Sequence, residues 1–174
     1  MSVRWTMGRL LGEKATDLIM SKLRKDAIEC RTQAAPVHGG DFQDREELIK
    51  AIMKHVGPAT PASAVAHLAD TFGSHWSDVL KMHDSATLLP DGATLAAEVR
   101  YAARNEMAVT LADIVLRRLD LGTGSMMSAE LLKSCARIAG EELGWDLQRQ
   151  NTEIARLARS YPFASPVSQQ IVNA

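Results

Sequence analysis

The chain has 174 residues, 46% of them hydrophobic and 24% charged, which suffices for one packed domain or one domain with a tethered helix but not for two enzymatic domains. That balance excludes a disordered tail. A net charge of −1 and a pI near 6.5 argue against nucleic-acid binding, because neutralising phosphates requires clustered Lys and Arg.

From Thr6 to about Lys25, apolar residues recur at Met7, Leu10, Leu11, Ala15, Leu18, Ile19 and Leu23, the period of an amphipathic helix with Thr6 as N-cap. Ala27 to Asp44 then carries Pro36 and Gly39-Gly40, which break regular structure and predict an irregular linker. Helix resumes over Glu46–Val56 and stops at Gly57-Pro58, after which Thr60 is read as an N-cap and Pro61 as the first helical residue. That third helix runs to Phe72 and ends at Gly73, and Trp76–Met82 forms a short element before the turn Leu89-Pro90-Asp91-Gly92. Leu95–Arg118 reads as two helices joined near Val109, since Thr110 and Asp113 stand in capping-box spacing with Asp in place of Glu. Ser128 caps a helix that runs to Leu143, Gly144 closes it, and a last helix extends from Trp145-Asp146 to about Ser160, with Pro162 and Pro166 beyond it.

The expected fold is therefore all-α, a bundle of six to seven helices with an irregular linker after the first. Strand-like alternation has no support outside a short stretch of the linker. The expected division is an N-terminal helix over 1–25, a linker over 26–44, a helical domain over 45–161 and a tail over 162–174. Cys30 and Cys135 belong to no CxxC or Cys/His spacing, so free thiols of a reducing compartment are expected. The N-terminus lacks the apolar core and cleavage site of a signal peptide, and no apolar run approaches the ~20 residues of a membrane span, so a cytoplasmic location is expected.

His67, His75 and His83 lie eight apart beside Asp70, Asp78 and Asp84, but no i, i+3 or i, i+4 ligand pair occurs. They read as solvated surface histidines, with no metal. The densest charged block runs from Glu98 to Arg118. Asp113 and Arg117, four apart, suit an exposed ion pair worth a few tenths of a kcal/mol. A partly buried network linking Glu98, Glu106, Asp113, Arg117 and Arg118 is the alternative, and its loss would strand a buried charge. Catalysis by these carboxylates lacks a nearby nucleophile, metal set or phosphate-cradling loop. At the start of the chain, Arg4, Trp5, Thr6 and Met7 open a helix whose free N–H groups suit an anion or a polarised carbonyl, a plausible cofactor contact, with a frayed basic terminus as the alternative. Neither GxGxxG nor GxxxxGK[ST] occurs, so the chain alone builds no nucleotide site.

Several segments, in order, resemble the end of FAD-dependent glycerol-3-phosphate dehydrogenases and glycerophosphate oxidases. Val3 to Arg9 resembles that family's G-[KV]-[KR]-[WLY]-T-T-x-R stretch, with Met7 in place of the second Thr, and Cys30-Arg31-Thr32 with Gly39-Gly40 resembles its CRT…PxxGG connector. Glu98-Val99-Arg100-Tyr101 to Glu106, Thr110 to Asp113 and Leu116-Arg117-Arg118 are similar to its E-V-x-Y…T-L-x-D…R-R core. Glu142-Leu143-Gly144-Trp145-Asp146 matches E-L-G-W-D. The resemblance, over residues 3 to about 161, implies the helical C-terminal domain of an enzyme that oxidises sn-glycerol 3-phosphate to dihydroxyacetone phosphate through FAD to a quinone, peripheral at the cytoplasmic membrane face. It implies no cofactor held by this chain alone, FAD contacts from Arg4 to Met7 once joined to the FAD domain, and that FAD/substrate domain as partner. A homodimer is a further candidate, because uncovered apolar surface drives association. The competing expectation is a stand-alone helical interaction module or split-gene remnant without catalytic role.

Overall fold

The computed structural model describes residues 5–26, 28–83, 85–122 and 127–160. The chain divides into two compact units at the Asp41–Phe42 junction.

In the first unit, a 3-10 turn over Trp5–Met7 leads into α1 (Gly8–Lys22). The helix stops three residues before Lys25 because Arg24 takes a left-handed φ of 52°, while the Leu23 N–H still reaches the Ile19 carbonyl at 2.9 Å. No residue of α1 is buried; Leu11, Leu18, Ile19 and Leu23 are each more than half exposed. The segment after it is irregular, as its Pro and Gly content dictates, and turns at Arg31–Ala35 and Val37–Gly40.

The second unit is a helical bundle: α2 (Arg45–Val56), α3 (Ala62–Phe72), α4 (Trp76–Val79), α5 (Ala96–Asn105), a π-helix over Asp113–Arg118, α6 (Ala129–Leu143) and α7 (Leu147–Ser160). No strand occurs among the described residues, and strand-like pairing is confined to one bridge between Leu88 and Leu95. That bridge lies at the Pro90–Gly92 turn rather than in the linker, because Asp91 accepts the Ala93 and Thr94 N–H groups and folds the chain back on itself.

Two caps are those the sequence announces: Ser128 Oγ accepts from the Leu131 N–H at 3.1 Å, and Gly144 closes α6 in the left-handed conformation at φ 70°. Asp44, which its position did not announce, caps α2 by accepting from the Glu46 and Glu47 N–H groups, and Thr6 does not cap α1, whose cap position falls to Met7 without a side-chain bond because a 3-10 turn takes up Trp5–Met7. Thr60 differs from expectation: its hydroxyl donates back to the Val56 carbonyl at 3.4 Å, and Pro61, with an extended ψ of 143°, takes the cap position. Proline supplies no side-chain acceptor there, so its carbonyl receives the Ala64 and Val65 N–H groups instead.

The core centres on α5, where every residue from Ala96 to Ala103 is buried. Its alanines let α6 pack close against it, and Leu68, Leu111, Ile114, Ile138 and Leu157 fill the space around. Each such aliphatic side chain contributes roughly 1.5–3 kcal/mol when fully buried.

Candidate functional site

The residues singled out from sequence occupy three places. Thr6 and Met7 are exposed at the entry to α1, Met7 offers that helix no side-chain cap, and Arg4 lies outside the described residues. Glu98 sits on the first turn of α5 with no exposure. Its Oε1 accepts the Leu95 N–H at 2.8 Å and its Oε2 stands 3.1 Å from His67 Nε2 on α3. The other four gather at the turn that separates α5 from the π-helix.

There, Thr110 and Asp113 form the reciprocal cap that their spacing predicts. Asp113 Oδ2 accepts from the Thr110 N–H at 2.9 Å, the Thr110 hydroxyl at 2.7 Å and the Val109 N–H at 3.2 Å, while Thr110 Oγ1 accepts the Asp113 N–H at 3.1 Å. Arg117 pairs with Asp113, and Arg118 Nε donates to the Glu106 carbonyl oxygen at 2.8 Å. Burial pushes the Asp113 carboxyl up, but the Thr110, Val109 and Arg117 donors outweigh it and hold it below the ordinary carboxylate value. Three N–H and O–H donors on Oδ2 and the Arg117 guanidinium on Oδ1 fix the turn.

Two further charge clusters escaped the sequence reading. On the α5–α6 contact, Arg100 donates to Glu142 and to Glu141, each at 2.7 Å; Arg104 also reaches Glu142, and Arg137 reaches Glu141. Arg100 and Glu142 retain 6% side-chain exposure each. Burial raises the Glu142 carboxyl and the two arginines override it, so it lies below its usual range. Glu141 is lowered chiefly by its hydrogen bond from Arg100. On α7, Glu153, 1% exposed, accepts the Leu111 N–H at 3.0 Å and pairs with Arg149 at 2.9 Å. The signals in the sequence were the four-residue spacings of Arg100 with Arg104, Arg137 with Glu141 and Arg149 with Glu153, which identify a face but not the facing helix.

The histidines are not uniformly solvated. His67 is three-quarters covered beside Glu98, which holds its pKa above the ordinary value despite burial. It lines an open cleft of 620 Å³ with Asp70, Thr71, Asp91, Thr94 and Asp120. Asp70 is taken up by a two-point contact from Arg45 at 2.6 and 2.7 Å, and Asp91 by its own turn. His75 pairs with Asp78 at 3.1 Å. Among the described residues no three His, Cys, Asp or Glu side chains converge in a way that could hold a metal.

The ion pairs and caps described above tie helices and turns of the bundle together. Residues 30–150 match the model of the C-terminal domain of alpha-glycerophosphate oxidase. The chain belongs to that family. It is 29% identical over 161 residues to a probable glycerol-3-phosphate dehydrogenase of Encephalitozoon cuniculi, an alignment covering 90% of this chain and 26% of that protein. To a probable mitochondrial glycerol-3-phosphate dehydrogenase of Caenorhabditis elegans it is 27% identical over 169 residues, covering 91% and 23%, and to a glycerol-3-phosphate dehydrogenase of Synechocystis 25% over 158 residues, covering 87% and 28%. The chain spans about a quarter of the length of these relatives. No solved structure matches it.

Within this alpha-glycerophosphate oxidase C-terminal domain, the segments that carried the resemblance have physical jobs. The Thr110-to-Asp113 segment is the reciprocal cap, and Leu143-Gly144-Trp145-Asp146 is the α6–α7 corner. There Gly144 supplies the positive φ, Trp145 N–H bonds the Gly140 carbonyl at 3.0 Å, and Asp146 caps α7 through the Arg149 N–H at 2.7 Å. A Cβ built on Gly140 would stand 2.5 Å from Gln150 Nε2, so the bare Cα leaves room for that side chain to reach the Trp145 carbonyl at 3.2 Å.

Proposed function

We propose that this chain is the helical accessory domain of an FAD-dependent glycerol-3-phosphate dehydrogenase, packing on a flavoprotein core and catalysing nothing alone. The observation that carries this reading is the match of residues 30–150 to the C-terminal domain of alpha-glycerophosphate oxidase in a chain a quarter the length of its relatives. Within its own compact unit α1 carries an apolar face of Leu11, Leu18 and Ile19, each about half exposed, and an amphipathic helix gains most of its stability when such a face is packed against another surface. In that whole protein the reaction is oxidation of sn-glycerol 3-phosphate to dihydroxyacetone phosphate. FAD, which the core would hold, would supply the two-electron oxidation.

The residues present fit a peripheral role towards that cofactor. Thr6 and Met7 are exposed where α1 begins, and a Cβ added at Gly8 would meet nothing, so the backbone there is open to a flavin brought by the preceding domain. The contact from Met7 would be a main-chain one. Titration of the purified chain with FAD, with and without glycerol 3-phosphate and a dye acceptor, is expected to show neither flavin quenching nor dye reduction. Adding a flavoprotein core lacking this region should bring the two together in one complex. Tight flavin binding or turnover by the chain alone would sink the proposal.

A further inference from the structure

The turn over Glu106–Thr110 combines three features. Met107 adopts φ 56°, a left-handed conformation that an unbranched apolar side chain takes only against a steric cost. Ala108 is buried at 1% exposure and pins the turn to the core, which leaves Met107 at 87% and Val109 at 64% exposure on either side of it. The backbone is fixed from several directions: the Val109 and Thr110 N–H groups by Asp113, the Leu111 N–H by Glu153 of α7, and the Glu106 carbonyl by Arg118. Strain kept by so many restraints, in order to hold two apolar side chains in water, is the arrangement of a preorganised contact.

From this we infer that Met107 and Val109 are an anchor that inserts into an apolar pocket on the polypeptide that relatives of this chain carry beyond the aligned region. The inference rests on the reading above that the chain works within a relative-length protein. That occupant follows from length: relatives of similar sequence hold roughly three-quarters of their chain outside the match, and a turn ordered before contact loses little conformational entropy on docking. A second copy of this chain is the occupant that the test must exclude.

The test measures binding of the purified chain, by calorimetry, to the Synechocystis relative from which the region aligned to this chain has been removed. Four forms are compared: the unaltered chain, a Met107→Ser/Val109→Ser variant, a Met107→Gly variant, and a Leu11→Ser/Leu18→Ser variant of α1. Circular dichroism and thermal melting establish that each variant retains its helices, and Met107→Gly, which relieves the φ strain while removing the side chain, serves as a second turn variant. The expected result is binding by the unaltered chain and at least tenfold weaker binding by both turn variants. Unchanged affinity of the turn variants, with loss in the α1 variant, overturns the anchor and leaves the accessory-domain reading standing. No binding by the unaltered chain overturns both. Sedimentation that reveals a dimer abolished by the turn variants also overturns the anchor, because the occupant is then a second copy.

Discussion

Arg100 and Glu142 face each other across the α5–α6 contact at 2.7 Å, each with 6% side-chain exposure, and Arg100 spends its other terminal nitrogen on Glu141. A buried pair of this kind adds little net stability while intact but is costly to halve, because removing one partner strands the other charge. Arg100→Met is therefore expected to destabilise the second unit by about 3–5 kcal/mol, and Glu142→Gln by less, since an amide still accepts from the guanidinium. Urea unfolding followed by far-ultraviolet dichroism measures both. Equal, small losses would mean that water screens the pair.

The His67–Glu98 contact predicts a pH dependence with a definite sign. Its hydrogen bond to Glu98 raises the folded-state pKa of His67 above the ordinary 6.5, so the stabilisation is complete below that value and disappears as pH climbs through the folded pKa. Asp70 and Asp91 lend further negative potential, and Arg45 on Asp70 opposes it. The carboxylates of Asp113, Glu141 and Glu142, all lowered, act at the other end: their contribution is present above the ordinary carboxylate range and lost as pH falls through it. Urea midpoints should thus decline from pH 6 towards pH 9, and His67→Gln should flatten that decline without altering the acid limb.

Gly144 closes α6 at φ 70°, so Gly144→Ala forces a Cβ into the left-handed region and should cost about 1 kcal/mol. Gly144→Asn should cost clearly less, as Asn tolerates that conformation. Comparable losses in the two variants would locate the effect in packing rather than in backbone conformation.

The thiols should separate cleanly. Cys135 has no exposed surface and burial pushes its pKa up to about 12, whereas Cys30 is partly exposed. A disulfide reagent at pH 8 is expected to modify Cys30 at once and Cys135 only at the rate at which the bundle opens. Rapid modification of both would show that α6 leaves the core far more readily than its burial implies.

Much of the fold was legible because its signals are local. Ser128, the Thr110–Asp113 pair and Gly144 act within four residues of themselves, so their spacing alone specifies the caps. Thr60 misled because its hydroxyl, which as an N-cap would accept a backbone N–H of the following turn, donates instead to the Val56 carbonyl behind it. The partners of Glu98, Arg100 and Glu153 were illegible for the opposite reason. His67 stands 31 positions before Glu98, Glu142 lies 42 after Arg100, and Leu111 lies 42 before Glu153, separations that only the packed helices bring together. The composition of the charged block marked it as important, yet could not tell which charges face water and which face another helix.

The amide of Leu111 finds its acceptor on Glu153, made 42 residues later. During synthesis, at roughly 5–20 residues per second, the Thr110 turn therefore waits a few seconds with that amide bonded to water instead of to protein. Until α7 emerges and docks, the strand of backbone between α5 and the π-helix stays competent to rearrange, and the final helix acts as the bolt that ends that freedom.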